Sequence, residues 1–422
     1  MNKSILNNDV QEFVSKNLDI DIFQLILKKP VFSEVSNKEI AEQITSKLKS
    51  KKKLPSWFDT KNIYFPNKIN IEQTSSEQTA KFKSSLVKGE NMIDSTGGFG
   101  VDSYYFSKSF NSVIYLEKDK TLFNITMLNS EKFGIKNIFH LNEDGIEYAK
   151  KSKTKFDLLY IDPSRRNKTS KKVHFLNECD PVVDLNLIKQ LDNFSTILIK
   201  CSPIIDIKKT IKDLIFVNEV FIVGIKNEVK EVLFKLSKSS ESDISLRCID
   251  LSNRKADFSF NYKEVNNKSD KSFSEIKKYL YEPNSMILKS GAFNLVSERF
   301  NLNKLNPNTH LYTSDELIDF PGRIFKVIKT INYTSRKLKE LNFKNANIST
   351  RNFPLDVKNI RKINKINDGG NDYLFFTTNN LEELIVVHTK KINSTIIFRS
   401  CFSLNNQHIG VNKTISWFNY FI

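Results

Sequence analysis

The chain has 422 residues, 65 Lys and Arg against 48 Asp and Glu, a net charge of +17, and 39% hydrophobic residues. So much apolar side chain excludes wholesale disorder, and the length implies two to four domains. Four cysteines, Cys179, Cys201, Cys248 and Cys401, without C-x2-C spacing exclude a disulfide scaffold and argue against a zinc finger, so no structural metal is expected.

Residues 1–65 predict an N-terminal helical domain, with Val10, Phe13 and Val14, then Ile20, Ile22, Phe23, Leu25 and Ile26, at helical spacing. Pro30 interrupts it, and Lys49 to Lys53 before Pro55 read as a solvated helix end. The N-terminus has no apolar h-region, and no run reaches about 18 uncharged apolar residues. A cytoplasmic protein with no signal peptide and no membrane span is expected.

Residues 66–238 alternate strand, turn and helix. Strands are predicted at Asn91–Asp94, Val113–Glu117, Ile138–Leu141, Phe156–Ile161, Thr196–Ile199, Val220–Val223 and Glu231–Leu236. The last two are separated by Gly224 and Asn227 and can pair as a hairpin. The pattern is α/β: a seven-stranded, doubly wound, Rossmann-like sheet that ends in an antiparallel hairpin. Residues 239–270 are polar and read as a junction with one or two strands. Beyond it, Ile324–Ile328, Ala346–Ser349 and Tyr373–Phe376 alternate with helices at Ser335–Leu341 and Leu355–Ile366, a small α+β unit.

Asp94-Ser95-Thr96-Gly97-Gly98-Phe99-Gly100 follows the first strand directly. Glycines there let backbone approach a ligand beside a helix N-terminus. A dinucleotide fingerprint would need glycines at 98, 100 and 103, but position 103 is Ser103. Instead the form is D-x-x-x-G-x-G, which resembles motif I of class I S-adenosyl-L-methionine-dependent methyltransferases. Glu117 ends the second strand, where a carboxylate can accept both hydroxyls of a ribose. Asp144 follows the third strand and Asp162-Pro163 closes the fourth. Any one of these acids alone is most often a cap or a solvated turn. Four at successive carboxyl ends favour a single site, because open sheets bind ligands at that edge.

Glu72-Gln73-Thr74-Ser75-Ser76-Glu77, the segment Thr96–Ser103 and Asp162-Pro163-Ser164-Arg165-Arg166 together resemble bacterial THUMP-like class I methyltransferases. Tyr281-Glu282-Pro283-Asn284, Gly291-Ala292-Phe293, His310-Leu311-Tyr312-Thr313-Ser314 and Phe320-Pro321-Gly322-Arg323 extend the match, which covers roughly residues 70 to 390. The resemblance implies a methyltransferase domain over 66–238, a junction and ferredoxin-like segment over 239–318, a THUMP-like domain over 319–395 and an extension over 396–422. It implies S-adenosyl-L-methionine as cofactor. Asp94, Thr96, Gly97, Gly98 and Gly100 would hold its methionine end, Glu117 the ribose and Asp144 the adenine. Asp162 would lie beside the methyl group and, with Arg165, serve the reaction. An Asp-Pro-Pro-aromatic motif would suggest an exocyclic base amine; here Ser164-Arg165 follows Asp162-Pro163, which leaves the base and atom methylated open.

Arg165 and Arg166 are the first arginines in a chain with ten. Where Lys is the default cation, Arg suits bidentate recognition of phosphate, although a nearby carboxylate is the simpler partner. Lys168, Lys171 and Lys172 extend that patch. Cys201 follows the fifth strand near where cytosine-5 methyltransferases keep a nucleophile, but a buried free thiol is the expected reading. Between Arg323 and Ile366 there are twelve Lys or Arg and two acids, including Arg351 and Arg361. That block and its thin aromatic content fit RNA phosphate or shape recognition, against the alternative of a solvated face. The expectation is a methyltransferase acting on a base in structured RNA, tRNA or rRNA, docked by the THUMP-like domain. The alternatives are an RNA-binding protein with a pocket but no turnover, and an enzyme acting on protein or a small molecule. The sequence fixes no oligomeric state.

Overall fold

Strands form where the uniformly apolar runs lie, because a strand covered on both faces has no polar side to alternate. The computed structural model describes residues 1–165, 175–237, 243–266 and 273–392. Two compact units emerge: Met1–Arg254 with Ser259–Tyr262, and Lys255–Phe258 with the chain from Lys263 onward.

The first unit is built on strands β1 (Gly89–Asp94), β2 (Phe110–Leu116), β3 (Ile138–Leu141), β4 (Phe156–Ile161), β7 (Phe194–Cys201), β8 (Val217–Ile225), β9 (Glu228–Leu236), β10 (Ser245–Asp250) and β11 (Phe258–Asn261). Between them β5 (Ser164–Arg165) and β6 (Cys179–Asp180) form a separate antiparallel ribbon. The sheet order is β11-β10-β8-β9-β7-β4-β1-β2-β3. Strands β1, β2, β3, β4 and β7 run parallel, and β9 lies antiparallel to both β7 and β8, the expected terminal hairpin. From β1 the chain winds outward to β3, then returns to the other side of β1 as β4. That reversal opens a crevice at the carboxyl ends of β1 and β4. Asp94 pairs with Tyr115 on β2 and with Tyr160 on β4, so the strand ends that carry the predicted acids lie level.

The polar junction contributes β10 and β11 to the edge of this sheet rather than separating two domains. Leu246, Cys248 and Ile249 of β10 are buried, so the expected boundary at 238 falls inside the first unit. Residues 1–65 do not keep a core of their own either. Helix Asn37–Lys53 starts at a Ser36/Glu39 capping box and turns Ile40 and Ile44 inward. Those residues share one apolar cluster with Trp57, Phe99, Val101, Tyr105 and Ile125. A segment that short has too little interior of its own and buries its stripe on the sheet's helices.

The second unit is a seven-stranded sheet of β12 (Tyr279–Pro283), β13 (Asn303–Lys304), β14 (Tyr312–Ser314), β15 (Gly322–Asn332), β16 (Asn347–Arg351), β17 (Asp372–Thr378) and β18 (Leu384–Lys391). Its order is β13-β14-β12-β15-β18-β17-β16. The long β15 pairs with β12 at its start and with β18 further on, which joins the two predicted modules into one sheet. One face packs Leu280, Leu305, Leu311, Phe325 and Phe375 together. The other carries helices Ser335–Glu340 and Val357–Asn364 through Leu338 and Ile360. No helix among the described residues is long and apolar enough to cross a membrane.

Candidate active site

Strand β1 delivers Asp94 to the sheet edge fully buried. Its Oδ2 accepts from Ser103 Oγ at 2.5 Å and its Oδ1 from Thr96 N at 3.2 Å. Burial, aided by the charges of Asp102 and Asp162, pushes the carboxyl up to about 7 against those two hydrogen bonds. Ser103, where a dinucleotide site would have glycine, thus anchors the acid instead. The glycine turn is pinned from several sides. Gly98 N donates to Glu117 Oε2 at 2.9 Å, and Gly98 O accepts from Tyr115 Oη at 2.6 Å and Thr126 Oγ1 at 3.0 Å. A Cβ on Gly97 would lie 2.1 Å from the Tyr115 ring. Gly100 has φ 76°, and its Cβ would meet Thr126 Cγ2 at 2.4 Å. Both positions therefore require glycine.

Glu117, one residue past β2, also accepts from Asp119 N at 2.8 Å through Oε1. Each oxygen so holds one backbone donor and keeps acceptor capacity for a diol. Asp144 caps helix Gly145–Lys151, accepting from Ile146 N at 2.9 Å and Glu147 N at 3.0 Å, and meets Lys118 Nζ at 2.8 Å. Burial works to raise its pKa, but Lys118 and the backbone donors outweigh it and hold it low. Beside it lies a cavity of about 310 Å3 lined by Lys118, Asp144, Ile146, Asp180, Pro181 and Leu187.

Asp162 follows β4. Its N–H donates to Thr96 Oγ1 at 2.7 Å, which ties the fourth strand's end to the glycine turn. Its Oδ2 accepts from Lys200 Nζ at 2.5 Å. Burial opposes the Lys200 charge, but Asp162, Glu231 and Asp102 overcome it and raise the ammonium pKa. Behind this pair, Lys83 meets Asp102 at 3.1 Å and Glu231 at 2.9 Å, all three buried. Asp102 further accepts from Ser75 Oγ at 2.7 Å and Tyr160 Oη at 2.9 Å. Sequence reasoning assigned no role to Lys200, Lys83 or Glu231, whose spacing carries no signal. Ser75 and Asp102 stood inside quoted motifs without a function. Lys53 Nζ donates to Ile71 O at 3.0 Å and Glu72 O at 2.6 Å. Burial, then Lys200, Lys230 and Lys83, pushes that ammonium down to about 8.

The structure brings Asp94, Thr96, Gly97, Gly98, Gly100, Glu117, Asp144 and Asp162 to one edge. The Arg165 backbone pairs with Cys179 in the β5–β6 ribbon. The Arg165 side chain, Arg166, Lys168, Lys171 and Lys172 lie outside the described residues, as does the 396–422 extension. Cys201 is a buried free thiol at the end of β7, its pKa driven up by burial, the reverse of an activated nucleophile. In the second unit Arg323 and Arg351 both pair with the buried Glu282. Arg361 pairs with Asp368 and donates to Ile366 O at 3.3 Å.

Residues 279–321 match a ferredoxin-like domain family and residues 322–391 a THUMP domain-like family. The crystal structure of a candidate methyltransferase from Porphyromonas gingivalis W83 is 30% identical, with a TM-score of 0.83 over 93% of this chain and 99% of that one. An uncharacterised RNA methyltransferase from Mycoplasma mobile is 28% identical over 110 residues, 25% of this chain; the match spans only 30% of that relative's length. TrmK of M. capricolum, solved with S-adenosyl-homocysteine, is 15% identical over 39% of this chain and 70% of its own, with a TM-score of 0.31. By its near-complete match to the Porphyromonas structure and its two C-terminal domains, the chain belongs to the family of methyltransferases with a THUMP-like domain.

Proposed function

We propose that this protein transfers a methyl group from S-adenosyl-L-methionine to a base in structured RNA, tRNA or rRNA. The observation that carries the reading is the level strand ends that carry Asp94, Glu117 and Asp162, with Asp144 capping the helix after β3, around a glycine turn that no side chain could replace. The residues present fit the cofactor. Gly97 to Gly100 give a backbone surface beside Asp94 for the methionine end. Glu117 keeps a free lone pair on each oxygen for the ribose hydroxyls, and the cavity beside Asp144 and Ile146 can take the adenine. The bound cofactor supplies an electrophilic methyl.

The protein's part is positioning and proton management. Thr96 fixes the Asp162 backbone to the turn, and Lys200 fixes its carboxylate. Asp162 then orients the acceptor N–H or O–H and takes its proton as the new bond to carbon forms. The THUMP domain-like match and the basic block in the second unit support RNA as substrate.

The test uses labelled cofactor and RNA from cells lacking the protein. Label should appear in RNA, and nuclease digestion then identifies the nucleotide. Label only in protein or small molecules would defeat the RNA reading. Calorimetry tests the cofactor separately: binding that is absent, or unchanged in Asp94→Ala, would defeat the enzyme reading.

A further inference from the structure

The motif segments of the second unit converge. Glu282 on β12 lies directly opposite Arg323 on β15 and is almost wholly buried. Arg323 Nε donates to Glu282 Oε2 at 2.6 Å, and Arg351, the last residue of β16, donates to Oε1 at 2.8 Å. One carboxylate so orients two guanidiniums, about a third of each side chain remaining exposed. Two cations on one anion leave a net positive charge.

Arg351 is the register partner of Thr377 on β17. Phe375, two residues earlier, packs on Leu305 and Leu311, so by strand alternation Thr377 and Arg351 face the same side. His310 is held at φ 52° and stacked on Phe293 with ring centroids 3.5 Å apart. Lys304 and Arg351 both act on the His310 ring, and burial first, then those cations, pushes it down to about 4, so it is neutral near pH 7.

Three buried polar atoms here lack any hydrogen-bond partner: Arg351 Nε, His310 Nδ1 and Thr377 Oγ1. Thr377 is fully buried. Buried polar atoms left unpaired are costly, and those of Arg351 and Thr377 lie at one register position beside two arginines that share a single carboxylate. A guanidinium fork held by a carboxylate, with a hydroxyl and an imidazole alongside, suits the oxygens of a phosphate.

We infer that Arg323, Arg351, His310 and Thr377 form a phosphate-binding site in the second unit, distinct from the methyl-transfer edge. The phosphate comes either from an RNA chain, which rests on the RNA reading above, or from a free small phosphate, which does not.

The full chain is titrated with inorganic phosphate by calorimetry, without cofactor or RNA. Binding should weaken roughly threefold to tenfold in Thr377→Val and tenfold or more in Arg351→Gln, where a charge-assisted contact is lost. Thr377→Val removes a hydroxyl with no partner and should melt like the parent without phosphate, so its result cannot be mistaken for misfolding. No heat at tens of millimolar phosphate, or binding unchanged in both variants, overturns the site. Competition with a short RNA bearing or lacking a 5′-phosphate then separates the sources. Displacement that needs the terminal phosphate, or that persists without it and weakens in Thr377→Val, assigns an RNA phosphate. No displacement by either RNA assigns the free anion. A protein that binds phosphate here but labels no RNA keeps the site and loses the RNA reading; one that labels RNA without binding phosphate does the reverse.

Discussion

Asp94 and Asp162 share one sheet edge but stand in opposite environments. Asp94 is sealed from water, and its carboxyl titrates near 7; Asp162 is half-buried and salt-bridged to Lys200. A raised acid pKa means that the folded state keeps a proton that the unfolded chain releases. Stability then falls as pH rises from about 4 to about 7 and is level above that. Replacing Asp94 with Asn removes this slope. Unfolding by urea at pH 5 and pH 8 should show Asp94→Asn gaining relative to the parent at the higher pH, by about 3 kcal/mol. A constant difference between the two pH values would contradict the burial account. At Asp162 the expectation concerns rate rather than stability. Asp162→Asn should lower turnover by roughly a hundredfold to ten-thousandfold with cofactor affinity kept, which single-turnover methylation and calorimetry together can establish. Lys200→Met should mimic part of that loss, since it releases the carboxylate from its fixed position.

The elements that sequence reading captured best are those whose neighbours leave one choice. Strands β2, β4, β7 and β8 are apolar throughout their cores, and the glycine turn after β1 has one acceptable backbone. The acids at the strand ends were legible for the same reason, since the topology puts the carboxyl ends of the parallel strands on one edge. What stayed hidden is held by partners distant in sequence. Strand β10 reads as polar because Ser245 and Arg247 alternate with Leu246 and Cys248, and only the edge of β8 reveals which face is inside. Strand β18 hides its Val386 and Val387 between Glu382-Glu383 and Lys390-Lys391. The Lys83, Asp102 and Glu231 cluster joins helix Glu77–Ser84, helix Val101–Phe106 and β9 across 148 residues of chain, and each residue alone reads as a solvated charge. Removing the cation would strand two buried carboxylates. Lys83→Met should therefore destabilise the first unit by about 3–5 kcal/mol, read as a lower urea midpoint at unchanged slope. At the turn itself, Gly97→Ala forces its methyl into the Tyr115 ring and should abolish cofactor binding while costing about 1–3 kcal/mol of stability.

Across the whole molecule, the net charge of +17 separates into cations that are engaged and cations that are free to meet a polyanion. Arg361 is half-buried and turned toward Asp368, while Arg323 and Arg351 share the single carboxylate of Glu282. The lysines of the same basic block behave differently. Lys326, Lys329, Lys337, Lys339, Lys344, Lys358, Lys362 and Lys365 are all exposed. Lysine is a point charge on a flexible stem, so such a surface follows a phosphate backbone without reading base edges. Lys358 and Lys362 stand four residues apart on helix Val357–Asn364 and therefore share a face. If that face meets RNA, each ammonium replaces about one condensed counterion, and affinity falls as a power of salt concentration set by the number of contacts. The double variant Lys358→Gln, Lys362→Gln should weaken RNA binding at low salt and reduce the slope of log affinity against log salt by roughly 2, one for each lost contact. The two proteins should also converge in affinity as salt rises, because the lost interaction is the screened one. An unchanged slope would place the RNA-facing charge elsewhere on the chain and leave this helix as a solvated face.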